Sequence, residues 1–358
     1  MAGALTRDTV SWLLALSAPS HCTRADTPGA MPPANTQHLL DALLAHGVAP
    51  LAVERVRRFP QLAPLQAPLL AAQAANASRA LTSVAHIVAT GAAFDAARIR
   101  WCVLKGVPMA LRHYGDLAAR QVGDIDILVA PGDTTAADTA LRQVGWKRHG
   151  ARDDAPLPPP RYWHEQRYTG PAGLTLELHH RLHPNPHLLD LPTATVLARA
   201  DTLVLGGATV PVLDRVTELL YLSTHGCRHG WFRLLWVCDI ATVTRAATPT
   251  FLEATRQAAV RLGVLLPLAQ ALLLADRLLG ATAPSWAHAL STRSARQRRL
   301  IAFALETLWC ARDANGNPTR RTCSSLLTAL SQRASLRFWA WELLLRARHE
   351  HQARLART

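Results

Sequence analysis

The sequence predicts an α+β fold, in which a small mixed β-sheet is flanked by N-terminal helices and by a C-terminal helical domain. Three observations lead to this prediction. Apolar residues recur at helical spacing over 37–97, short apolar runs bounded by turn residues follow over 98–213, and the helical spacing returns over 214–358. Residues 1–36 contain four prolines and are predicted to be a mobile leader.

The composition is that of a globular protein with a sizeable core, because 49% of the 358 residues are hydrophobic and 18% are charged. The six cysteines show no C-x-x-C spacing, which indicates free thiols in a reducing cytoplasm. The apolar stretch 12–16 is short and follows Asp8, which is poor for a signal peptide. The longest apolar stretch, 262–275, contains Pro267 and is too short to cross a bilayer. We therefore expect a cytoplasmic protein without a membrane span.

The net charge of +14 is distributed unevenly along the chain. Residues 291–358 hold 13 arginines against four acidic residues, a net charge of +9. Such a segment is either a solvated helical face or a contact for RNA, an anionic membrane surface or an acidic partner.

The first elements of the predicted sheet follow one another closely. A strand over 99–104 ends in the turn Lys105-Gly106, which leads into a short helix over 108–114 with proline near its first turn. A second strand follows over 125–129. A helix to about residue 144 then begins at Pro131-Gly132-Asp133, with Asp133 as its N-cap.

Two hairpins are predicted farther along the chain. The first joins strands over 161–169 and 174–179 through Gly170-Pro171-Ala172-Gly173, and the second joins 202–205 to 209–213 through Gly206-Gly207. Residues 156–160 are proline-rich and form a linker or an insertion. Asp214 is the predicted N-cap of a helix that runs through Tyr221 and is followed almost entirely by helix.

Two acids stand at the start of the second strand, in the sequence Gly123-Asp124-Ile125-Asp126-Ile127-Leu128-Val129. Side chains alternate between the faces of a strand, so Asp124 and Asp126 share one face, about 6–7 Å apart. Like charges at this distance repel, and one acid should protonate unless a cation or several donors lie beside them. The pair is either a metal site or a solvated strand start.

A third carboxylate lies on the strand Leu174-Thr175-Leu176-Glu177-Leu178, where leucines alternate with Thr175, Glu177 and His179. If this strand lies beside the strand of Asp126, the three acids converge and could hold one or two Mg²⁺ ions. The alternative is an exposed glutamate on a strand face.

The turn Lys105-Gly106 is a candidate phosphate site, because a glycine between a strand and a helix lets backbone N–H groups approach an anion. Lys105 and Arg120 would add positive charge. Either cation could instead pair with Asp124 or Asp126.

The order of these segments resembles the nucleotidyltransferase superfamily of the DNA polymerase β type, and most closely the poorly characterised bacterial nucleotidyltransferase family proteins. In that pattern Gly106 matches the first glycine of the turn, Asp124 and Asp126 the metal-binding pair, and Glu177 the third acid. The sequence departs from the pattern at Val107, where a second glycine or serine is usual. The gap from Gly106 to Asp124 is also long for the superfamily.

The resemblance covers about residues 80–280 and extends through a helical segment that contains His225 and His229. These histidines lie one helical turn apart. Three roles are open for them: structural residues of the core, contacts to a substrate or phosphate, or a pair of zinc ligands. For the zinc pair, Gly226 stands where an H-E-x-x-H motif requires glutamate. Trp231 and Trp236 are predicted to be packing residues.

The resemblance implies that 98–213 is a nucleotidyltransferase core. It also implies transfer of a nucleoside monophosphate from ATP or another NTP to an acceptor, with release of pyrophosphate. Asp124, Asp126 and Glu177 would bind Mg²⁺ or Mn²⁺ and Gly106 would hold phosphate through its backbone. The acceptor would be RNA (including tRNA), a protein or a small molecule. The alternative is a catalytically degenerate fold that binds RNA through its arginine-rich helices.

Overall fold

The structure of the protein is a computed structural model, which describes residues 5–22, 36–150, 157, 163–170, 173–310 and 324–355. The chain contains two compact units. The sheet unit comprises Arg7–Pro184 and Leu191–Glu218, and the helical unit comprises Met1–Thr6, Asn185–Asp190 and Leu219–Thr358. The predicted proline-rich linker at 156–160 lies outside the described residues except for residue 157.

The described residues of the sheet unit form seven strands in one mixed sheet. They are β1 Trp101–Val103, β2 Ile125–Val129, β3 Lys147–Arg148, β4 Glu165–Thr169, β5 Thr175–His179, β6 Asp201–Leu205 and β7 Ala208–Val212. Their order is β3-β4-β5-β2-β1-β7-β6. The pairs β2/β5 and β1/β7 are parallel, and the remaining pairs are antiparallel. The predicted α+β class and mixed sheet are confirmed, and β3 is a strand additional to the predicted ones.

The helices of the sheet unit are α1 Arg7–Ser17, α2 Thr36–Ala45, α3 Ala49–Val56, α4 Gln66–Ala96, α5 Val107–Met109, α6 Thr134–Gln143 and α7 Thr193–Ala198. Short 3-10 turns occupy Pro60–Leu65 and Pro131–Asp133, and a π-helical turn at Ala110–Tyr114 continues α5. The core of the unit lies where α4 and α6 pack against the sheet residues of β2 and β5.

The prediction of a mobile leader over 1–36 is wrong for helix α1. Trp12 and Leu16 are buried, and the Trp12 ring meets the Phe59 ring edge-on at 4.9 Å. The Arg55 side chain also donates a hydrogen bond to the carbonyl of Ala15. Burial of this apolar helix face outweighs the irregular local sequence. Residues 23–35 lie outside the described part of the chain.

The two predicted N-caps have different outcomes. Asp214 is a cap, because its Oδ1 accepts hydrogen bonds from the backbone of Val216 and Thr217, both at 3.1 Å. Asp133 makes no side-chain cap. The prediction was wrong because Asp133 ends a 3-10 turn that already leads into α6, so its backbone is helical rather than extended.

Within its described residues, the helical unit contains α8 Arg215–Arg228 from Leu219 onwards and seven further helices. These are α9 Leu234–Thr244, α10 Pro249–Leu262, α11 Leu265–Leu279, α12 Ser285–Arg293, α13 Ala295–Trp309, α14 Ser324–Ser331 and α15 Leu336–Leu355. Among the described helices, none combines the length and the apolar character that a membrane crossing requires. The five cysteines in the described residues form no disulfide with one another, and four of them are buried.

Gly91 of α4 allows the helix to approach Trp101 of β1. A Cβ atom at residue 91 would lie 2.4 Å from Trp101 Cζ2. We expect Gly91→Ala to lower the free energy of unfolding by about 1–3 kcal/mol, because overpacking exceeds the gain in helix propensity. Urea denaturation measures this change. Gly132→Ala is the control, since its Cβ would meet nothing within 4 Å, and an equal loss in both variants would contradict the packing explanation.

Candidate active site

The parallel pairing of β2 with β5 brings two predicted site residues together. Asp126 and Glu177 are direct partners in the register, and Ile127 is paired with Leu178. The side chains of Ile125, Ile127, Leu176 and Leu178 are all buried in the core. Because side chains alternate along a strand, the two acids lie on the opposite face of the sheet. Glu177 is therefore a neighbour of Asp126 rather than an isolated exposed glutamate.

Lys105 provides the positive charge that the acid pair requires. Its Nζ donates to Asp126 Oδ2 at 2.5 Å and to Asp124 Oδ1 at 3.2 Å. The Asp126 side chain is 1% exposed, whereas that of Asp124 is 37% exposed. The backbone N–H of Leu104 also donates to the carbonyl of Asp126, which places the end of β1 beside the start of β2. Lys105 thus joins both acids.

His179 connects Asp126 with Glu177. Its Nε2 lies 3.2 Å from Asp126 Oδ1 and 3.7 Å from Glu177 Oε2. One potential ligand atom from each of these three residues lies within 4.8 Å of the other two. From the neighbouring strand β4, Arg167 Nε donates to Glu177 Oε1 at 2.8 Å. The sequence alone places His179 on this face of the strand and assigns it no role, because only the strand pairing shows which acids it meets.

The electrostatic environment distinguishes the members of this cluster. Burial favours the neutral form of Asp124, but Lys105 outweighs it and lowers the pKa of that carboxyl. Burial and the charge of Asp124 raise the pKa of Asp126. Burial by itself lowers the pKa of His179, yet its hydrogen bonds to Asp126 and Glu177 raise that pKa to about 9. The predicted repulsion between the two acids thus contributes to the raised pKa of Asp126, which is the more deeply buried of the two.

Gly106 forms the turn between β1 and α5 with φ of +84°, a conformation that L side chains rarely adopt. A Cβ at this position would stand 3.5 Å from the carbonyl oxygen of Asp124, so the turn lies close to the acid pair. Val107 is 1% exposed and packs in the core. Val107, which stands where a glycine or serine was expected, therefore places an apolar side chain in the core.

Arg120 belongs to the loop that fills the long gap between Gly106 and Asp124. It is 5% exposed, and its Nη1 donates to the carbonyl of Gln121 at 3.1 Å. Asn76 of α4 holds this loop by donating to the carbonyls of Ala118 and Arg120 and by accepting from the N–H of Val122. The role of Arg120 in phosphate binding stays a prediction.

His225 and His229 belong to the helical unit, at the end of α8. Their ring centroids lie 4.6 Å apart, and those of His225 and His229 lie 5.1 and 5.5 Å from that of Trp236. Neither histidine is in a group of three potential metal ligands among the residues that the structure describes. A role in phosphate contact stays a prediction. Trp231 is fully buried and donates to Gln270, which confirms its predicted packing role.

The pKa of His179 generates a testable pH dependence. A folded-state pKa of about 9, above the ordinary 6.5, gives a stabilisation that is complete below pH 6.5 and is lost as the pH rises through 9. Between pH 6.5 and 9.5, we expect the free energy of unfolding of chelator-treated protein to fall by about 1–3 kcal/mol more than in His179→Gln. Urea titrations measure this, and His288→Gln, at an exposed histidine, should retain the wild-type slope. Equal slopes for wild type and His179→Gln would contradict the prediction.

Comparison with known proteins gives the family. Residues 32–280 match the protein family described as "Uncharacterised nucleotidyltransferase". Among solved structures, an antigenic nucleotidyltransferase-like protein from Paracoccidioides brasiliensis is 16% identical, and the match covers 59% of this chain and 96% of that chain with a TM-score of 0.34. No curated protein matches the chain. Because the family match covers more than half of the sequence, the chain belongs to the uncharacterised nucleotidyltransferase family.

Proposed function

We propose that this protein transfers a nucleoside monophosphate from an NTP to an acceptor, releases pyrophosphate, and requires Mg²⁺ or Mn²⁺. The observation that carries the proposal is the pairing of Asp126 with Glu177 on adjacent strands, beside a strand-to-helix turn at Gly106. Membership of a nucleotidyltransferase family supports the same reaction class.

The donor set at this position fits a hard divalent cation. Asp126 and Glu177 present carboxylate oxygens within 4.8 Å of one another, and Asp124 shares the cation Lys105 with Asp126. Carboxylate oxygens are the ligands that Mg²⁺ and Mn²⁺ prefer. We propose Asp124, Asp126 and Glu177 as the metal ligands. When bound, the metal would neutralise triphosphate charge and lower the pKa of an acceptor hydroxyl.

Lys105 and Gly106 are the proposed phosphate ligands. Lys105 holds its charge between two acids through a flexible stem, so it can turn towards a phosphate oxygen once another cation neutralises those acids. Gly106 approaches the acid pair with its backbone and carries no side chain that would block an anion. Arg120, His225 and His229 are proposed as further nucleotide or phosphate contacts.

The acceptor class is proposed from charge alone. The net charge of +9 over 291–358 favours RNA, tRNA included, over a protein or a small molecule, because neutralising a phosphate backbone releases counterions. A second candidate function is a catalytically degenerate fold that binds RNA. The observation that favours it is the internal pairing of the acids, since Lys105 contacts Asp124 and Asp126 while Arg167 contacts Glu177.

Transfer of label from α-³²P NTPs tests the reaction and the acceptor together. We expect wild-type protein with Mg²⁺ to label one of three pools, total RNA, cell protein or small metabolites. Asp126→Asn should lower the rate at least about 100-fold, because it removes one charge from the proposed metal ligands. Asp41→Asn, at an exposed aspartate in α2, is the matched control and should retain activity.

The same experiment separates the two candidate functions. Absence of label with each of the four NTPs, from wild-type protein whose circular dichroism is that of a folded chain, would contradict nucleotidyl transfer. The degenerate alternative then requires RNA binding that depends steeply on salt and survives Asp126→Asn.

The two lysines of the chain provide a test of the phosphate ligands. We expect Lys105→Met to weaken NTP binding at least about tenfold, because it removes the ammonium group next to the proposed site. Lys147→Met alters an exposed lysine in β3 and should leave the affinity unchanged. Equilibrium binding of a fluorescent NTP analogue measures both affinities, and equal values for the two variants would exclude Lys105 as a ligand.

A further inference from the structure

A group of potential nitrogen and oxygen ligands lies where β4 begins beside the end of β5. It is next to the acid cluster, which consists of Asp124, Asp126 and Glu177. Glu165 is the register partner of His179, and His164 immediately precedes it. His164 Nε2 lies 2.9 Å from Glu165 Oε2, and His179 Nδ1 lies 3.9 Å from the same oxygen. One potential ligand atom from each residue lies within 4.8 Å of the other two.

The two ring nitrogens of His179 have different surroundings. Nε2 faces Asp126 Oδ1 at 3.2 Å. Nδ1 is buried and has no hydrogen-bond partner within the part of the chain that the structure describes, although the residue is only 3% exposed. A buried polar atom without a partner costs free energy, so this nitrogen calls for a ligand.

We propose that His164, Glu165 and His179 Nδ1 bind a divalent transition metal of the Zn²⁺ type. Metal–ligand bonds of 2.0–2.1 Å in a tetrahedral site separate the ligand atoms by about 3.3 Å. The observed separations of 2.9 and 3.9 Å lie on either side of this value, so small side-chain movements complete the site. Two imidazoles favour Zn²⁺ over Mg²⁺, which prefers oxygen ligands.

Asp126 explains why Nδ1 and not Nε2 meets the metal. A histidine that binds a metal through one nitrogen commonly donates its other N–H to a carboxylate, which fixes the tautomer and the orientation of the ring. A metal that replaces the proton on Nδ1 would leave the Nε2–H as a donor to Asp126 Oδ1, 3.2 Å away, while Glu165 Oε2 lies 3.9 Å from Nδ1. A metal on Nε2, between Asp126 and Glu177, would instead leave Nδ1 as a buried donor that makes no hydrogen bond within the described residues, with Glu165 Oε2 3.9 Å away.

This site goes beyond the proposed function, because it takes a metal of different chemistry on a separate ligand set. Three protein ligands leave a fourth position open, as in zinc sites that bind water or a substrate. Asp126 is shared between the two sites as a hydrogen-bond acceptor of His179 in one and a proposed ligand in the other. His179 is therefore a positioning residue for Asp126 when the transition metal is bound.

Metal binding to full-length, chelator-stripped protein tests the site without any measurement of transfer. We expect one equivalent of Zn²⁺ to compete with a chromophoric chelator, Co²⁺ to give visible d–d absorption of a tetrahedral site, and excess Mg²⁺ to leave both signals unchanged. His164→Gln and Glu165→Gln should each lower the Zn²⁺ affinity at least about tenfold. His288→Gln is the control at an exposed histidine and should bind as wild type.

Glu177→Gln identifies which ligand set holds the metal. Glu177 belongs to the acid cluster but not to the proposed transition-metal site, so this variant should retain stoichiometric Zn²⁺ binding. The proposal is overturned if wild type binds no stoichiometric Zn²⁺, or if Glu177→Gln abolishes binding while His164→Gln and Glu165→Gln retain it. Because these measurements use metal alone, a protein without transferase activity can still pass them.

Discussion

The parallel pairing of β2 with β5 is the constraint on which the site depends. Its register sets Asp126 beside Glu177, while the next pair along the two strands, Ile127 and Leu178, remains in the core. A shift of one residue would exchange the two faces of a strand and would bury Glu177 among leucines. The cost of burying an unpaired carboxylate in an apolar core therefore protects the arrangement of the acids. Packing of the core and placement of the polar groups are consequences of the same register.

Charge compensation explains how so many acids are tolerated at the centre of a sheet. Lys105 donates hydrogen bonds to the carboxylates of Asp124 and Asp126, and Arg167 donates to that of Glu177. The raised pKa of His179 favours its protonated form, which adds positive charge beside Asp126. The proposed divalent cation would compensate the charge of these carboxylates in place of the side-chain cations. The same network thus compensates the charges of the acids and contains the groups that we propose as ligands of a metal and of phosphate.

The predictions from sequence succeeded where the signal was local and periodic. Alternation in β2 and β5, the glycines of the second hairpin and the cap at Asp214 are short-range patterns, and each is present in the structure. Errors arose where tertiary contacts override local preference. Helix α1 is stabilised by burial of Trp12, and Asp133 lies in a 3-10 turn that removes the extended backbone needed for a side-chain cap.

By itself, the sequence determined the α+β class, the acid pair with its neighbouring turn, and the presence of a third acid on a later strand. Only the tertiary structure decided which strands are adjacent, that Lys105 joins both aspartates, and that His179 lies between Asp126 and Glu177. The position of Glu165 beside His179 is likewise a result of the β4/β5 register. The physical reason is that alternation along a strand specifies the face of each side chain, whereas strand order and register depend on contacts between distant segments.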